Sequence, residues 1–472
     1  MKPKLIRLEE VEQLSLKDVK RLYKAHVNTG LPTFLGVLGF DRILPVSSEG
    51  ICIHTKDGRT IMDFSGGISV LNPGHNHPKV LAARRSFNEE NRIEVWRPFL
   101  SPLYANLAKE LAALAPADLN YVCFANSGAE SNEGALKLAE KFQGDSKKAI
   151  IYTNISFHGK THATLSLTGN EGDKRRYFKS LSDCVSIPYG DVEAFEEAIR
   201  TRGGGNHDIV AIILEALVAE EMVIPQAEYL QQIRTLCDSY GIVMILDEVY
   251  NGMGRSGKLF AFEHAEVIPD IFTIAKSLGG GKGSIGAYIA RDHIYKQAYG
   301  TSYTEAMLHH SSFGGLGEEC YSGLACLEVY EEEKLVQNAA DMGEYFQSAL
   351  KALQQKYPKM IKQVDSKGLL IGVEMALPAE RLIQLMSKVS GFFEEFASRF
   401  TVGITVAQMM GRYDILILPG AENKSNIFIN PSLIITQADI DHFIQCFGDL
   451  LSRGMFGLVW GYIRLKIKGI FS

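Results

Sequence analysis

Between about residues 103 and 275, short segments that are nearly all apolar alternate with segments of helical spacing. The apolar segments are the candidate strands YVCFA (121–125), KAIIYT (148–153), CVSIPY (184–189), IVAIILE (209–215), IVMILDE (242–248) and IFTIA (271–275). A strand that is apolar on both faces must be buried on both faces, which is typical of a mostly parallel sheet covered by helices. The sequence therefore predicts an α/β fold.

The two ends of the chain have a different pattern, in which amphipathic helices are mixed with short strands. The predicted elements are a helix at 16–28, a hairpin at 50–64 around Asp57-Gly58, a long helix from about 320 to 357, strands at 368–375, 415–418 and 426–430, and a last helix from about 437. These segments predict a smaller second domain, formed by both chain ends and packed against the central sheet. A chain of 472 residues is long enough for two domains.

Composition excludes several classes of function. The net charge of −6 and the pI near 6.1 argue against nucleic acid, which requires a concentrated basic face. The sequence contains no run of 18 or more apolar residues, so we expect no membrane-spanning helix. The seven cysteines are scattered without a C-x-x-C pair, and the charged start does not resemble a secretory signal, so we expect a cytoplasmic protein.

Charged residues follow two of the predicted strands. Asp247 lies at the end of strand 242–248, and Lys276 follows strand 271–275. Ligands of parallel sheets bind beyond the carboxyl ends of the strands, and partial burial there lowers the pKa of a lysine, as a nucleophilic amine requires. Taken singly, each residue has a simpler interpretation: Asp247 as a helix cap or turn carboxylate, and Lys276 as a solvated lysine.

Two further segments carry candidate ligand contacts. Ser127, Gly128 and Ala129 lie between a strand and a helix, where backbone N–H groups bind phosphate at the positive end of the helix dipole. Phe157 follows strand 148–153 and can stack on a flat ring, although it could equally be a core residue. His158 and His162 are four residues apart, but nothing else indicates a metal, so no metal site is expected.

Together these residues match the requirements of pyridoxal phosphate (PLP). That cofactor needs a lysine for its Schiff base, an acid facing the pyridine nitrogen, an anion site and an apolar surface against the ring. The glycine-rich GGGKGSIG after Lys276 does not have the spacing of a nucleotide-binding loop.

From about Gly50 to about Asp449 the chain resembles the class III PLP-dependent aminotransferases, a fold-type I family that includes ornithine, 4-aminobutyrate and acetylornithine aminotransferases. The motifs that carry the resemblance are GHNHP (74–78), NSGAESNEGALKLA (126–139), FHG (157–159), DEVYNGMGRSG (247–257), PDIFTIAKSLGGG (269–281), SSFGG (311–315) and GLLIGVEM (368–375). The resemblance implies a large domain with a mostly parallel seven-stranded sheet and a smaller α+β domain. We expect the small domain to comprise 1–80 and 321–454, the large domain 81–320, and a basic tail 455–472.

The resemblance also implies roles for individual residues. Lys276 matches the Schiff-base lysine and Asp247 the acid at the ring nitrogen, and these two form the predicted catalytic pair. Ser312 falls where the family usually has a threonine that reaches the phosphate of the neighbouring subunit, which implies a homodimer with composite sites. The other expected cofactor contacts are Ser127, Gly128, Ala129, Phe157, His158, Glu215 and Val249.

The implied activity is transfer of an amino group between a donor amine and a carbonyl acceptor. An aminomutase, a racemase or a decarboxylase on the same scaffold is an alternative, because fold does not fix the reaction. A PLP-binding partner protein without activity is a further alternative.

Two departures from the family bear on the substrate. The family motif E-P-I-Q-G-E reads EALVAE from Glu215 to Glu220, which keeps the glutamate that gates the site. Phe428 occupies the position where members that bind an α-carboxylate often have arginine, and a phenyl ring cannot pair with a carboxylate. We therefore expect one substrate to be an amine, an aldehyde or a ketone without an α-carboxylate, and an apolar chain would suit the aliphatic residues of the EALVAE motif. The alternative is that Arg412 or another arginine supplies the clamp.

The tail beyond the family resemblance, 453–472, is basic and rich in apolar residues. Such a segment can lie on an anionic membrane or bind a partner protein. The simpler interpretation, which the sequence favours, is a terminal helix or strand packed on its own subunit.

Overall fold

The computed structural model describes residues 5–96, 98–169, 177–376, 392–420 and 425–468. Its helices are α1 (Leu8–Glu12), α2 (Leu16–Leu22), α3 (Leu31–Leu38), α4 (Gly66–Ser69), α5 (Pro78–Glu89), α6 (Pro102–Leu114), α7 (Gly128–Gln143), α8 (His162–Ser166), α9 (Val192–Thr201), α10 (Ala227–Tyr240), α11 (Asp292–Tyr299), α12 (Tyr303–Ala306), α13 (Gly317–Glu332), α14 (Leu335–Lys356), α15 (Phe392–Tyr413), α16 (Gln437–Ser452) and α17 (Gly454–Lys468). A π-helix, Tyr23–Val27, continues α2. Among the described helices, none combines the length and the apolar character needed to cross a bilayer.

A seven-stranded sheet forms the centre of the molecule, in the order β4–β10–β9–β8–β7–β5–β6. Only β10 runs antiparallel to its neighbours, and the other pairs are parallel. This confirms the predicted α/β fold. The strands are β4 (Leu119–Ala125), β5 (Ala149–Thr153), β6 (Cys184–Ile187), β7 (Ile209–Glu215), β8 (Val243–Asp247), β9 (Ile271–Ile274) and β10 (Gly286–Arg291).

The uniform apolar character of the central strands follows from burial on both faces. All residues of β7 are buried. Its side chains alternate between the two sides of the sheet, so Ile212 and Leu214 belong to one hydrophobic core while Ala211 and Ile213 belong to the other. The sheet therefore lies between two apolar layers, as the sequence predicted.

Two four-stranded sheets complete the fold. One has the order β1–β2–β3–β13 and the other β11–β12–β15–β14. Ile415 pairs in parallel with Met62, so the first of these sheets joins the two ends of the chain. The proposed limits of the domains remain a prediction. The strands are β1 (Pro45–Glu49), β2 (Cys52–Thr55), β3 (Thr60–Asp63), β11 (Ile361–Lys367), β12 (Leu370–Met375), β13 (Ile415–Leu416), β14 (Leu418–Pro419) and β15 (Asn426–Ile429).

The structure corrects the sequence-based elements at three places. The predicted single helix from 320 to 357 is wrong: α13 and α14 are separate, because Lys334 between them has a left-handed backbone with φ of 52°. Strand β10 was missed because it follows directly on a glycine-rich turn. Strand β11 was missed because most of its side chains are polar and only two of its residues are buried.

Candidate functional site

The carboxyl ends of three neighbouring strands bring polar residues to one level of the sheet. Glu215 at the end of β7 pairs with Asp247 at the end of β8, and Asp247 pairs with Thr273 on β9. Lys276 follows β9 and has φ of 48°, which is uncommon for a residue other than glycine. The edge of the sheet thus places the two predicted catalytic residues beyond adjacent strands.

The carboxylate of Asp247 is buried and held from three directions. Its Oδ2 accepts hydrogen bonds from Asn132 Nδ2 at 2.7 Å and from His158 Nδ1 at 2.8 Å, while Oδ1 accepts one from the backbone N–H of Val249 at 2.9 Å. Three donors at fixed positions restrict the rotation of the carboxylate. The carboxylate therefore has a fixed orientation as well as a fixed position.

Sequence reasoning missed the support behind Asp247. Asn132 lies on α7, and its Oδ1 accepts a hydrogen bond from Thr273 Oγ1 at 2.7 Å. Asn132 belongs to the quoted segment 126–139 and lies one helical turn after Gly128, so its position on the same face of α7 was a usable signal.

The amine of Lys276 lies in a weakly hydrated environment. Burial lowers the pKa of Lys276 to about 8, and the carboxylates of Asp247 and Glu215 partly oppose this change. Its Nζ atom is 3.8 Å from the centroid of the Tyr250 ring. Tyr250 is a second residue that the sequence did not single out, and its hydroxyl accepts a hydrogen bond from Asn430 Nδ2 at 2.7 Å.

The start of α7 provides an anion site. Ser127 caps the helix, and its Oγ accepts from the Glu130 N–H at 3.2 Å. Gly128 is required by close packing, because a Cβ atom there would lie 2.5 Å from Val249 Cγ1. The exposed N–H groups and the dipole of this long helix favour a bound phosphate beside Gly128 and Ala129.

Glu215 is buried and forms a hydrogen bond with the backbone of the neighbouring loop. Its Oε1 accepts a hydrogen bond from the Phe157 N–H at 3.0 Å. Burial, reinforced by the charge of Asp247, raises the pKa of Glu215 to about 8. Glu215 therefore positions the loop that presents Phe157 and His158 to the site.

A cavity of about 470 Å³ joins these groups. Asp247 and Lys276 line the cavity. Val249 and Phe157 contribute apolar surface to its wall, and the start of α7 also lines it. This donor set and size fit PLP. The predicted residues that line the cavity are Ser127, Gly128, Ala129, Phe157, His158, Glu215, Asp247, Val249 and Lys276.

Three residues that the sequence analysis considered for contacts with the substrate or a second subunit do not line this cavity. Ser312 is exposed and does not line the cavity of its own chain. Phe428 is a buried residue of β15, paired with Gly372 and Leu418. Arg412 Nε donates to Gln408 Oε1 of the same helix at 3.0 Å. Glu220 does line the cavity, and in the described part of the chain its lining includes no arginine.

The chain matches a family and several solved structures. The model for aminotransferase class-III matches residues 40–451. The ornithine aminotransferase of Toxoplasma gondii is similar, with a TM-score of 0.79, 24% identity and coverage of 95% of this chain and 98% of that one. The (S)-enantioselective omega-transaminase of Thermomicrobium roseum has a TM-score of 0.78, 25% identity and coverage of 96% and 100%.

The acetylornithine aminotransferase of Elizabethkingia anophelis also resembles the chain, with a TM-score of 0.71, 24% identity and coverage of 93% and 100%. These likenesses confirm the predicted PLP-dependent transferase fold of type I. The family model spans most of the sequence and includes every element of the cavity. The chain therefore belongs to the class III aminotransferase family and is a PLP-dependent aminotransferase.

Proposed function

We propose that Lys276 and Asp247 are the catalytic residues of this aminotransferase. The observation that carries the proposal is their meeting in one cavity beyond adjacent strands, with an amine of lowered pKa and a firmly held carboxylate. PLP, when bound, supplies an electron sink for the bond that breaks at the substrate carbon. The chain supplies the lysine that binds the cofactor and the acid that faces its ring nitrogen.

The residues of the cavity have separate roles in proton transfer and in binding the cofactor. Lys276, once released from the cofactor, is placed to carry a proton, because its lowered pKa lets the amine accept and donate protons near neutral pH. Asn132 and His158 hold the carboxylate of Asp247 in place through hydrogen bonds to its Oδ2. Gly128 and Ala129 would bind the phosphate with their N–H groups, and Val249 and Phe157, which line the same cavity, would provide apolar contacts to the ring and exclude water.

An aminomutase, a racemase and a decarboxylase use the same cofactor and stay open as alternatives. A transaminase changes the absorbance of its bound cofactor completely when an amino donor is added alone, and a carbonyl acceptor restores the original spectrum. Turnover without an acceptor would favour one of the alternatives. Cofactor binding without turnover of any donor would favour a non-catalytic partner protein.

We further propose that one substrate lacks an α-carboxylate. A buried carboxylate requires a cation, and arginine is suited to it because its guanidinium binds both oxygens. Among the described residues that line the cavity there is no arginine. The family resemblance puts the buried Phe428 where a carboxylate-binding arginine would be. Arg412 forms its hydrogen bond within its own helix. Simple amines with aldehydes should be turned over faster than α-amino acids with keto acids. Efficient turnover of many α-amino acids without activity on aldehydes would contradict this proposal.

A homodimer with composite sites is the proposed assembly. Ser312 is exposed on the monomer beside Phe313, whose side chain is 60% exposed, so this loop is available to a second subunit. Sedimentation should show a dimer, and Ser312→Ala should weaken PLP binding more than Ser302→Ala, which removes an exposed hydroxyl at the N-cap of α12. A monomer that is fully active would contradict the proposal.

A cytoplasmic location is also proposed. All seven cysteines are free thiols, which supports it.

A further inference from the structure

Helix α17 lies beyond the family match and has two distinct faces. One face packs on the protein: Leu458 is fully buried, its carbonyl accepts from Gln408 Nε2 at 2.7 Å, and a Cβ at Gly461 would lie 2.1 Å from Gln408 Oε1. The helix is therefore seated against α15. The simpler interpretation of the tail, a helix packed on its own subunit, describes this face only.

The opposite face is an exposed apolar stripe. The α17 stripe consists of Phe456 (86% exposed), Trp460 (55%), Ile463 (39%) and Ile467 (48%). Their spacing of four, three and four residues places them on one line of the helix, about half a turn from Leu458 and Gly461. The neighbouring helix α3 also exposes apolar side chains: Tyr462 Oη donates to the carbonyl of Val37 at 3.0 Å, and Phe34 and Val37 are more than half exposed.

The charged residues of α17 itself are all basic. On an ideal helix Arg464 lies about 80° to one side of the stripe and Lys466 about 80° to the other. Arg42 adds a third cation, because its Nη1 donates to the carbonyl of Leu465 at 3.1 Å. Between 453 and 468 the sequence has no acidic residue, although the whole chain has a net charge of −6.

We propose that this surface binds an anionic membrane, with the α17 stripe in the acyl region and the flanking cations at the lipid phosphates. An exposed apolar stripe with a cation on each side, on a helix without acidic residues, is the pattern of a helix that lies in the interface of a bilayer, where tryptophan is favoured. Anionic lipid attracts basic residues near the surface. A two-fold contact between copies of the stripe would bring cations against cations, so a second copy fits this charge pattern less well.

Tryptophan fluorescence tests the proposal, because the chain has two tryptophans, Trp96 and Trp460. In the holoenzyme of Trp96→Phe, emission from Trp460 should shift to the blue with vesicles of phosphatidylglycerol and phosphatidylcholine in equal parts. Vesicles of phosphatidylcholine alone should give no shift, and high salt should reverse binding, since salt screens the exposed charges.

Two sets of variants separate the apolar and the charged contributions. Phe456→Ser with Trp460→Ser should lower co-sedimentation with the anionic vesicles about tenfold, while Phe178→Ser, at a side chain that is 54% exposed, should not. Arg464→Glu should weaken binding, and Lys351→Glu, at another exposed helical lysine, should not. Transaminase activity in solution should be unchanged in all four.

Three results would overturn the proposal: no binding to the anionic vesicles, equal binding by the Phe456→Ser, Trp460→Ser protein, or a lower oligomeric state of that protein in sedimentation. The last result would assign the α17 stripe to a second copy of the chain.

Discussion

The Nζ atom of Lys276 lies 3.8 Å from the centroid of the Tyr250 ring, and the hydroxyl of Tyr250 accepts a hydrogen bond from Asn430. The face of an aromatic ring attracts an ammonium ion, which partly offsets the loss of hydration. Asn430, which directly follows β15, thereby fixes a ring against the proposed catalytic amine.

This contact predicts different effects for two substitutions of Tyr250. Tyr250→Leu removes the ring and should lower the pKa of Lys276 further, by up to about one unit if the contact contributes about 1 kcal/mol. Tyr250→Phe keeps the ring and should leave the pKa near that of the wild type. The measurement is the pH dependence of PLP attachment to the apoenzyme, and identical profiles for all three proteins would rule out a role for the ring.

The wild-type profile should itself show the lowered pKa of Lys276. Only the neutral amine attaches PLP, and burial brings the pKa of Lys276 from 10.5 to about 8. The rate of attachment should therefore rise with pH up to about 8 and level off above it. A rate that continues to rise towards pH 10 would show that Lys276 titrates as a hydrated lysine.

Gly128→Ala should disturb the anion site. Its Cβ would lie 2.5 Å from Val249 Cγ1, so either α7 or the residue against the cofactor ring must move. Overpacking of this kind costs about 1–3 kcal/mol. We expect PLP affinity, measured by equilibrium titration, to fall at least tenfold. Gly205→Ala is the matched control, because a Cβ at Gly205 would meet nothing within 4 Å; equal affinities would contradict the assigned packing.

Substitution of Arg255 should have a large effect on the stability of the fold. Its buried guanidinium donates to the carbonyls of Leu369 and Pro431 and to Asn72 Oδ1, and so joins three separate segments of the chain. Arg255→Leu would leave these acceptors buried without their donor, at about 1–3 kcal/mol each.

Urea unfolding of the apoenzyme should show that loss as a lower midpoint. Arg200→Leu, at an exposed arginine paired with Glu197, should change the midpoint little. Similar midpoints for the two variants would mean that Arg255 does not join the segments as described.

Six of the seven strands of the central sheet and most of the site were predictable from sequence because the relevant signals are local. The apolar runs that became β7 and β8 have one explanation, burial on both faces, and Asp247 and Lys276 directly follow such runs. The contacts of Tyr250 were not predictable, since Asn430 is 180 residues away and approaches only through the packing of β15. The bond from Thr273 to Asn132 likewise depends on how α7 lies across β9.

The most direct test of the account is to identify the residue that binds PLP. Reduction of the holoenzyme with borohydride fixes the cofactor on its lysine, and peptide mass spectrometry then locates it. We predict the added mass on Lys276, its loss in Lys276→Ala, and its retention in Lys282→Ala, which changes an exposed lysine six residues away. Cofactor fixed to another lysine, or to none, would contradict the account.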